Sequence, residues 1–334
     1  MAATLKDVAR EAGVSIKTVS NVIHDYPHIR SSTRERVQQA IASLGYTPNQ
    51  TARNLRSGRT GVIALAVPDL SLSYFAELAA SVIAAAEELD LAVQVEQTVG
   101  TREREIELLR TPRLRMTDGV IFSPLEMGQD DAEHLAVDYP LVLLGERIFD
   151  GPVDHVTMRN VAAARAATEF LLDRGRTRIA IVGAHEGEVI GSAGLRLRGY
   201  REALTARGVP YDESLVASAG EWHRVDGLQA TRELLGRGVE FDAVFALNDT
   251  LAFGAIRALE ESGHHVPSDV AVIGYDDISE AAYSLPTLTT VDPGRDWIAQ
   301  RAVEALVERI EDPTAAPRTM LADFRVVERE STGG

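Results

Sequence analysis

The chain has 334 residues, no cysteine, 45 % apolar and 25 % charged residues, and a net charge of −16. A length and composition of this kind fit an ordinary globular protein with a small head and one or two larger domains. The lack of cysteine excludes a disulfide framework, thiolate catalysis and cysteine-type zinc sites. Charge begins at Lys6 with no signal-peptide core before it, and no run approaches the length of a membrane span, so a cytoplasmic protein is expected.

The charge is unevenly spread. Through Thr60 nine Lys/Arg stand against four acids, a net +5, which leaves −21 on the rest. A basic head on an acidic body suits a protein that brings one end to a polyanion.

Along the head, Thr4-x-x-Asp7 predicts a capped helix start, with Leu5, Val8, Ala9 and Ala12 as its apolar stripe and Gly13 as its stop. Ser15 caps a second helix over 16–23 that turns Val19, Val22 and Ile23 inward. Two short helices across a Gly-Val-Ser turn form a helix-turn-helix pattern, whose second helix offers its first turn to the major groove. Ser32-Thr33-Arg34-Glu35 reads as a capping box opening a third helix, with Val37, Ala40, Ile41 and Leu44 buried and Gly45 closing it. After Pro48 come about two turns of polar, basic helix with too little apolar surface to fold alone.

From Gly61 onward apolar runs alternate with amphipathic segments. Strands are expected at 62–67, 91–96, 119–122, 141–144, 178–182, 243–246 and 270–273, and helices at 76–89, 161–174, 195–206, 250–262 and 298–311. That alternation predicts a parallel, doubly wound α/β body. Two such units in series make a two-lobed binding protein with its ligand between the lobes.

The string Thr4-Leu5-Lys6-Asp7-Val8-Ala9, Gly13-Val14-Ser15, Thr18-Val19-Ser20, Thr33-Arg34 and Leu44-Gly45-Tyr46-x-Pro48-Asn49 resembles the LacI/GalR family of transcriptional regulators. The resemblance implies a helix-turn-helix head at 1–48, a hinge helix or linker at 49–60, and a periplasmic-binding-protein-like body at 61–334 with two doubly wound parallel sheets. It further implies lobes of about 61–160 plus 292–319 and 161–291 plus 320–334, with Thr289-Thr290-Val291-Asp292 as a crossover.

By that resemblance Ile16, Lys17 and Asn21 read base edges, chemistry that suits a thymine methyl, guanine acceptors and adenine respectively. Thr18, Ser20 and Arg34 are placed for phosphates, and Thr4 is a further expected DNA contact. In the hinge, Asn49, Ala52, Arg53 and Arg56 flank Leu55, which stands where the family wedges a leucine into a minor-groove step. The expected DNA is near-palindromic and the expected protein a homodimer; after Arg329 no leucine-heptad tail follows.

The family's effector contacts fall on Tyr74, Phe75, Ser123, Glu146, Arg147, Arg196, Trp222, Asn248 and Asp276, with Arg196 foremost. Aromatic faces with Arg, Asn and Asp suit a sugar-like molecule. Asp249 reads as a helix cap as readily as a ligand contact, and Asp277 as structural. The chain departs from the family at Arg159-Asn160, where Asp-Asn is usual, and at Gly145-Glu146-Arg147. A neutral sugar, a phosphorylated sugar and a nucleoside all remain compatible with this set.

Two other classes compete with this reading. No nucleophile elbow, P-loop, zincin or dinucleotide motif is present; His185-Glu186 lacks a second zincin histidine, and His264-His265 reads as surface, so neither catalysis, cofactor nor metal is expected. A transport-type solute receptor would share the two lobes but lack the basic head. The expectation is therefore a sequence-specific regulator, a repressor, controlled by a carbohydrate in the cleft.

Overall fold

The computed structural model describes residues 3–23, 26–46 and 59–333. The chain divides into two compact units, Met1–Thr60 and Gly61–Gly334.

In the first unit, α1 (Leu5–Glu11) starts on the predicted capping box, with Thr4 and Asp7 bonding each other's backbone N–H. The Ser15 hydroxyl accepts the Thr18 N–H at 3.1 Å and starts α2 (Ile16–Ile23). The third helix, α3, runs Ser31–Leu44 and ends on Gly45 in the left-handed region. It does not open on the predicted box. Ser31 is already helical, Arg30 occupies the cap position without a side-chain bond, and Arg34 donates instead to the Tyr26 carbonyl at 3.1 Å. Val8, Val19, Val22, Val37 and Tyr46 fill a small core between the three helices.

The second unit opens with β1 (Val62–Val67), α4 (Ser73–Glu87), β2 (Ala92–Gln97), α5 (Arg102–Leu109), β3 (Val120–Phe122), β4 (Leu141–Leu144) and β5 (Asp154–Thr157). There follow α6 (Asn160–Asp173), β6 (Ile179–Ala184), α7 (Ser192–Ala206), β7 (Val216–Ser218), α8 (Arg224–Gly236), β8 (Ala243–Ala246), α9 (Asp249–Glu261) and β9 (Ala271–Ile273). The chain ends with β10 (Thr290–Asp292), α10 (Arg295–Glu311), β11 (Thr319–Leu321) and β12 (Arg325–Val327).

One parallel sheet has the order β11-β5-β4-β3-β1-β2, a second the order β7-β6-β8-β9, and β10 pairs antiparallel with β12. Strand β1 shows why its sequence is apolar throughout. Ile63, Leu65 and Val67 enter the core beneath α4 and α10, while Ala64 and Ala66 enter the core on the opposite face. A parallel strand covered on both faces has no side for water.

Strand β11 pairs with β5 through Leu321, so the first sheet extends beyond the expected division at 319, and the return crossing comes after it. Met158 packs against the cores of both lobes at the earlier crossing, between β5 and α6.

Helices α8 and α9 approach backbone to backbone at Gly227 and Gly254. A Cβ on Gly254 would overlap the Arg224 carbonyl oxygen and the Leu228 amide, neither of which can swing aside. Gly254→Ala is expected to destabilise the body by about 1–3 kcal/mol in urea denaturation. Gly236→Ala, at the open end of α8, should leave stability level or raise it by up to ~1 kcal/mol.

Candidate functional site

Both parallel sheets point the carboxyl ends of their strands at a common cleft, the place where open α/β sheets hold ligands. The loops after β1, β3, β4 and β5 on one side and after β6, β7, β8 and β9 on the other enclose a cavity of about 380 Å³. That lies within the roughly 300–1,000 Å³ usual for small-molecule sites.

Arg196, on α7, is the centre of the site and only 3 % exposed. Its Nε donates to Asn160 Oδ1 at 2.8 Å, one terminal nitrogen donates to the Leu247 carbonyl, and the other lies 3.7 Å from Asp276 Oδ1. The guanidinium carbon sits 3.5 Å from the Tyr275 ring centroid and 5.4 Å from that of Trp222. A buried charge is tolerable when paired and hydrogen-bonded, and the planar guanidinium fork can engage three partners on three elements.

Burial pushes the Asp276 carboxyl up to about 7; Glu146 and Glu77 add to the rise, while Arg196 and Arg295 oppose it. Asp276 also holds φ at 109°, a strained backbone for a residue with a side chain.

Trp222 is fixed from three sides. Its indole N–H donates to the Gly183 carbonyl at 2.9 Å, and its own carbonyl accepts from Asn248 Nδ2 at 3.2 Å and Thr250 Oγ1 at 2.5 Å. Tyr74 and Phe75, at the start of α4, meet edge to face at 5.3 Å on the opposite wall. Burial foremost, then Asp276 and Glu146, raises the Tyr74 phenol well above its usual range.

The outer part of the cavity carries a polar chain between the lobes. The Ser192 hydroxyl donates to Glu146 Oε2 at 2.8 Å, and Arg147 lies 3.4 Å from Glu188 and 4.0 Å from Glu126. His185 sets Nδ1 2.8 Å from Glu188 and Nε2 3.0 Å from the Gly220 carbonyl. The Glu188 hydrogen bond outweighs burial and raises the His185 pKa. Burial resists ionisation of Glu188, but His185 and Arg147 prevail and hold it below the usual range.

The structure therefore brings together on one cavity Tyr74, Phe75, Ser123, Glu146, Arg147, Arg196, Trp222, Asn248 and Asp276. Asp249 is neither a helix cap nor a wall residue. The helix begins one residue earlier than a capping Asp249 requires, so Asn248 caps it by accepting the Leu251 N–H. Asp249 is fully buried, accepting from Thr290 Oγ1 at 2.5 Å and the Ile278 N–H at 2.9 Å. Asp277 pairs with Arg329 at 2.7 Å.

Sequence reasoning missed His185, Glu188, Thr157 and the Asp69–His223 pair, all on the wall. The rule that ligands sit at strand ends would have found them. Among the described residues no group of three or more His, Asp or Glu is arranged to hold a metal, and no helix is long and apolar enough to cross a membrane.

In the head, Ile16 is 45 % exposed and so not a core residue. Lys17 and Thr4 are exposed, and Thr18, Ser20, Asn21 and Arg34 half-buried. Asn49, Ala52, Arg53, Leu55 and Arg56 lie outside the described residues.

Residues 4–49 match the model for bacterial regulatory proteins of the lacI family, and 168–332 match a periplasmic binding protein-like domain. The HTH-type transcriptional regulator CelR of Thermobifida fusca is 37 % identical over 337 residues, covering 98 % of both chains. The chain belongs to the LacI family of transcriptional regulators. The ribose operon repressor of Escherichia coli, in the same family, is 32 % identical over 98 % of this chain and 99 % of its own.

A LacI-family protein from Sanguibacter keddieii has a solved structure 54 % identical over 83 % of this chain and all of its own, with a TM-score of 0.77. The lac repressor dimer bound to operator and the anti-inducer ONPF is 28 % identical, covers 99 % of both chains and scores 0.86. A CelR–cellobiose complex is 33 % identical over 98 % of this chain and 99 % of its own, with a score of 0.73.

The cavity carries a pH signature. Because the folded pKa of Asp276 lies above its ordinary 3.8, stability is fully present below about pH 4 and lost as pH rises through about 7. His185, also raised, acts in the same direction. Melting temperature should fall across that window, and Asp276→Asn should flatten the fall; a variant whose profile is as steep as the parent's would contradict the assignment.

Proposed function

We propose that the protein is a sequence-specific transcriptional repressor, a homodimer on near-palindromic DNA, whose operator affinity is set by a sugar bound between the two lobes. The observation that carries this reading is the joining, in one chain, of a basic three-helix head to a cleft centred on a buried arginine. A transport receptor has no use for such a head. The proposed organisation is a head at 1–48, a hinge at 49–60 and the two-lobed body at 61–334.

Ile16, Lys17 and Asn21 are proposed to read bases, and Thr4, Thr18, Ser20 and Arg34 to hold phosphates. Asn49, Ala52, Arg53 and Arg56 are proposed to track the hinge site, with Leu55 as the minor-groove wedge. In the body the nine wall residues are proposed to hold the sugar. CelR in complex with cellobiose supports a carbohydrate, and the operator-bound lac repressor dimer supports the twofold DNA. A DNA ligand implies a cytoplasmic protein, and no catalytic role is proposed.

Binding energy from the sugar favours one arrangement of the lobes; DNA affinity shifts with it, and DNA shifts sugar affinity by the same factor. Fluorescence anisotropy on a near-palindromic fragment from upstream of the protein's own gene tests the reading. Tight binding that weakens steeply with salt and shifts with one sugar is expected. No preference over random DNA with any sugar present would contradict it. In the same assay Asn21→Ala should cost about 1–3 kcal/mol on the operator and little on random DNA.

A further inference from the structure

Resting on the sugar reading above, we propose that the cavity selects uncharged sugars and rejects their phosphate esters, with Glu146 as the group that discriminates. The wall carries six acidic side chains, Asp69, Glu126, Glu146, Glu188, Glu221 and Asp276, the last with its carboxyl raised by burial, against two guanidiniums, Arg147 and Arg196. Binding a phosphate needs a cation, and preferably a fork, that is not already engaged.

Each basic side chain here already faces an acidic or carbonyl partner. Arg147 stands between Glu188 at 3.4 Å and Glu126 at 4.0 Å, and Arg196 is committed to Asn160, Leu247 and Asp276. Both nitrogens of His185 are engaged by Glu188 and the Gly220 carbonyl, and His223 lies 3.7 Å from Asp69 and 3.8 Å from Glu221. A phosphate at Arg147 would share that guanidinium with Glu188 and Glu126 and sit among the other acidic side chains, and one at Arg196 would have to displace its hydrogen-bond partners.

Helix starts, the other common anion sites, are mostly occupied as well. Glu188 Oε1 accepts the Ala193 and Gly194 N–H groups of α7, and Asn248 accepts that of Leu251 in α9. Helix α4 begins at the wall without a side-chain cap, so inorganic phosphate belongs among the probes.

What the wall offers in surplus is acceptors and hydroxyl partners. Glu146 is 8 % exposed, and its Oε1 takes no hydrogen bond from the described residues, whereas Oε2 accepts from Ser192. Thr157 is 1 % exposed, and its hydroxyl has no hydrogen-bond partner among the described residues although it lines the cavity. Carboxylates and a hydroxyl that need donors are matched by sugar hydroxyls, which supply a donor and an acceptor in one group. Trp222 on one wall and Tyr74 with Phe75 on the other supply apolar contact for ring carbons.

The test is calorimetry on the full chain with cellobiose, glucose and ribose, each alongside a phosphate ester of the same sugar, and with inorganic phosphate alone. The expected result is binding of at least one parent sugar, with its ester weaker by about tenfold or more from the like-charge contact. Glu146→Gln keeps the bond to Ser192 and should narrow that gap by strengthening ester binding. Glu126→Gln, at the exposed rim, should narrow it less and guards against misfolding of the first variant. An ester, or phosphate itself, that binds as tightly as the parent sugar overturns the selectivity and leaves a sugar-controlled regulator standing. An unchanged gap in both variants removes Glu146 from the role. No binding by any sugar or ester counts against the sugar reading as well.

Discussion

The second lobe's side of the cavity is organised around the guanidinium of Arg196. From α7 it reaches Asn160 at the start of α6, the Leu247 carbonyl past β8 and Asp276 past β9, with Tyr275 against its face. Removing such a charge from water is costly unless its donors are met, so the elements that meet them are held in register by the same requirement. Lysine has the charge without the fork. The raised Asp276 carboxyl and its positive φ belong to this arrangement, since strain of that kind persists where surrounding structure over-determines it.

The two lobes meet through polar contacts rather than a continuous apolar seam. Glu146 to Ser192, Arg147 to Glu188 and Asp69 to His223 join them around the cavity, and the Glu77 carboxylate accepts the Ser279 N–H at 2.8 Å. Ser73 and Arg224 share Glu280. Pairs of this sort, partly open to water, are individually weak and reversible. Met158 packs against both cores at the crossing.

Much of this was legible because parallel strands covered on both faces must be apolar, as in 62–67, 141–144 and 243–246, where expected and observed limits coincide. What was not legible is polar structure whose partner lies far along the chain. Strand β5 reads Asp-His-Val-Thr, yet all four residues are buried; Arg309 at 2.8 Å and the Arg318 N–H at 3.0 Å satisfy Asp154, and His155 Nε2 meets the Gly145 carbonyl at 2.6 Å. Helix α5, Arg-Glu-Arg-Glu-Ile-Glu-Leu-Leu, buries Glu105 because its carboxylate accepts the N–H groups of Leu125, Glu126 and Met127. The same limit applies to caps, where the spacing signals a helix start but packing decides between Asn248 and Asp249, or between Arg30 and Ser32.

If the Arg196-centred cavity holds the controlling sugar, affinity for that sugar depends on the guanidinium fork. Calorimetric titration of the Arg196→Lys chain with a sugar that binds the parent protein tests it most directly, provided circular dichroism shows the body still folded. The expected result is a loss of at least about tenfold in affinity, the scale seen when a charged hydrogen-bond network is broken. Unchanged affinity in the folded variant would contradict it.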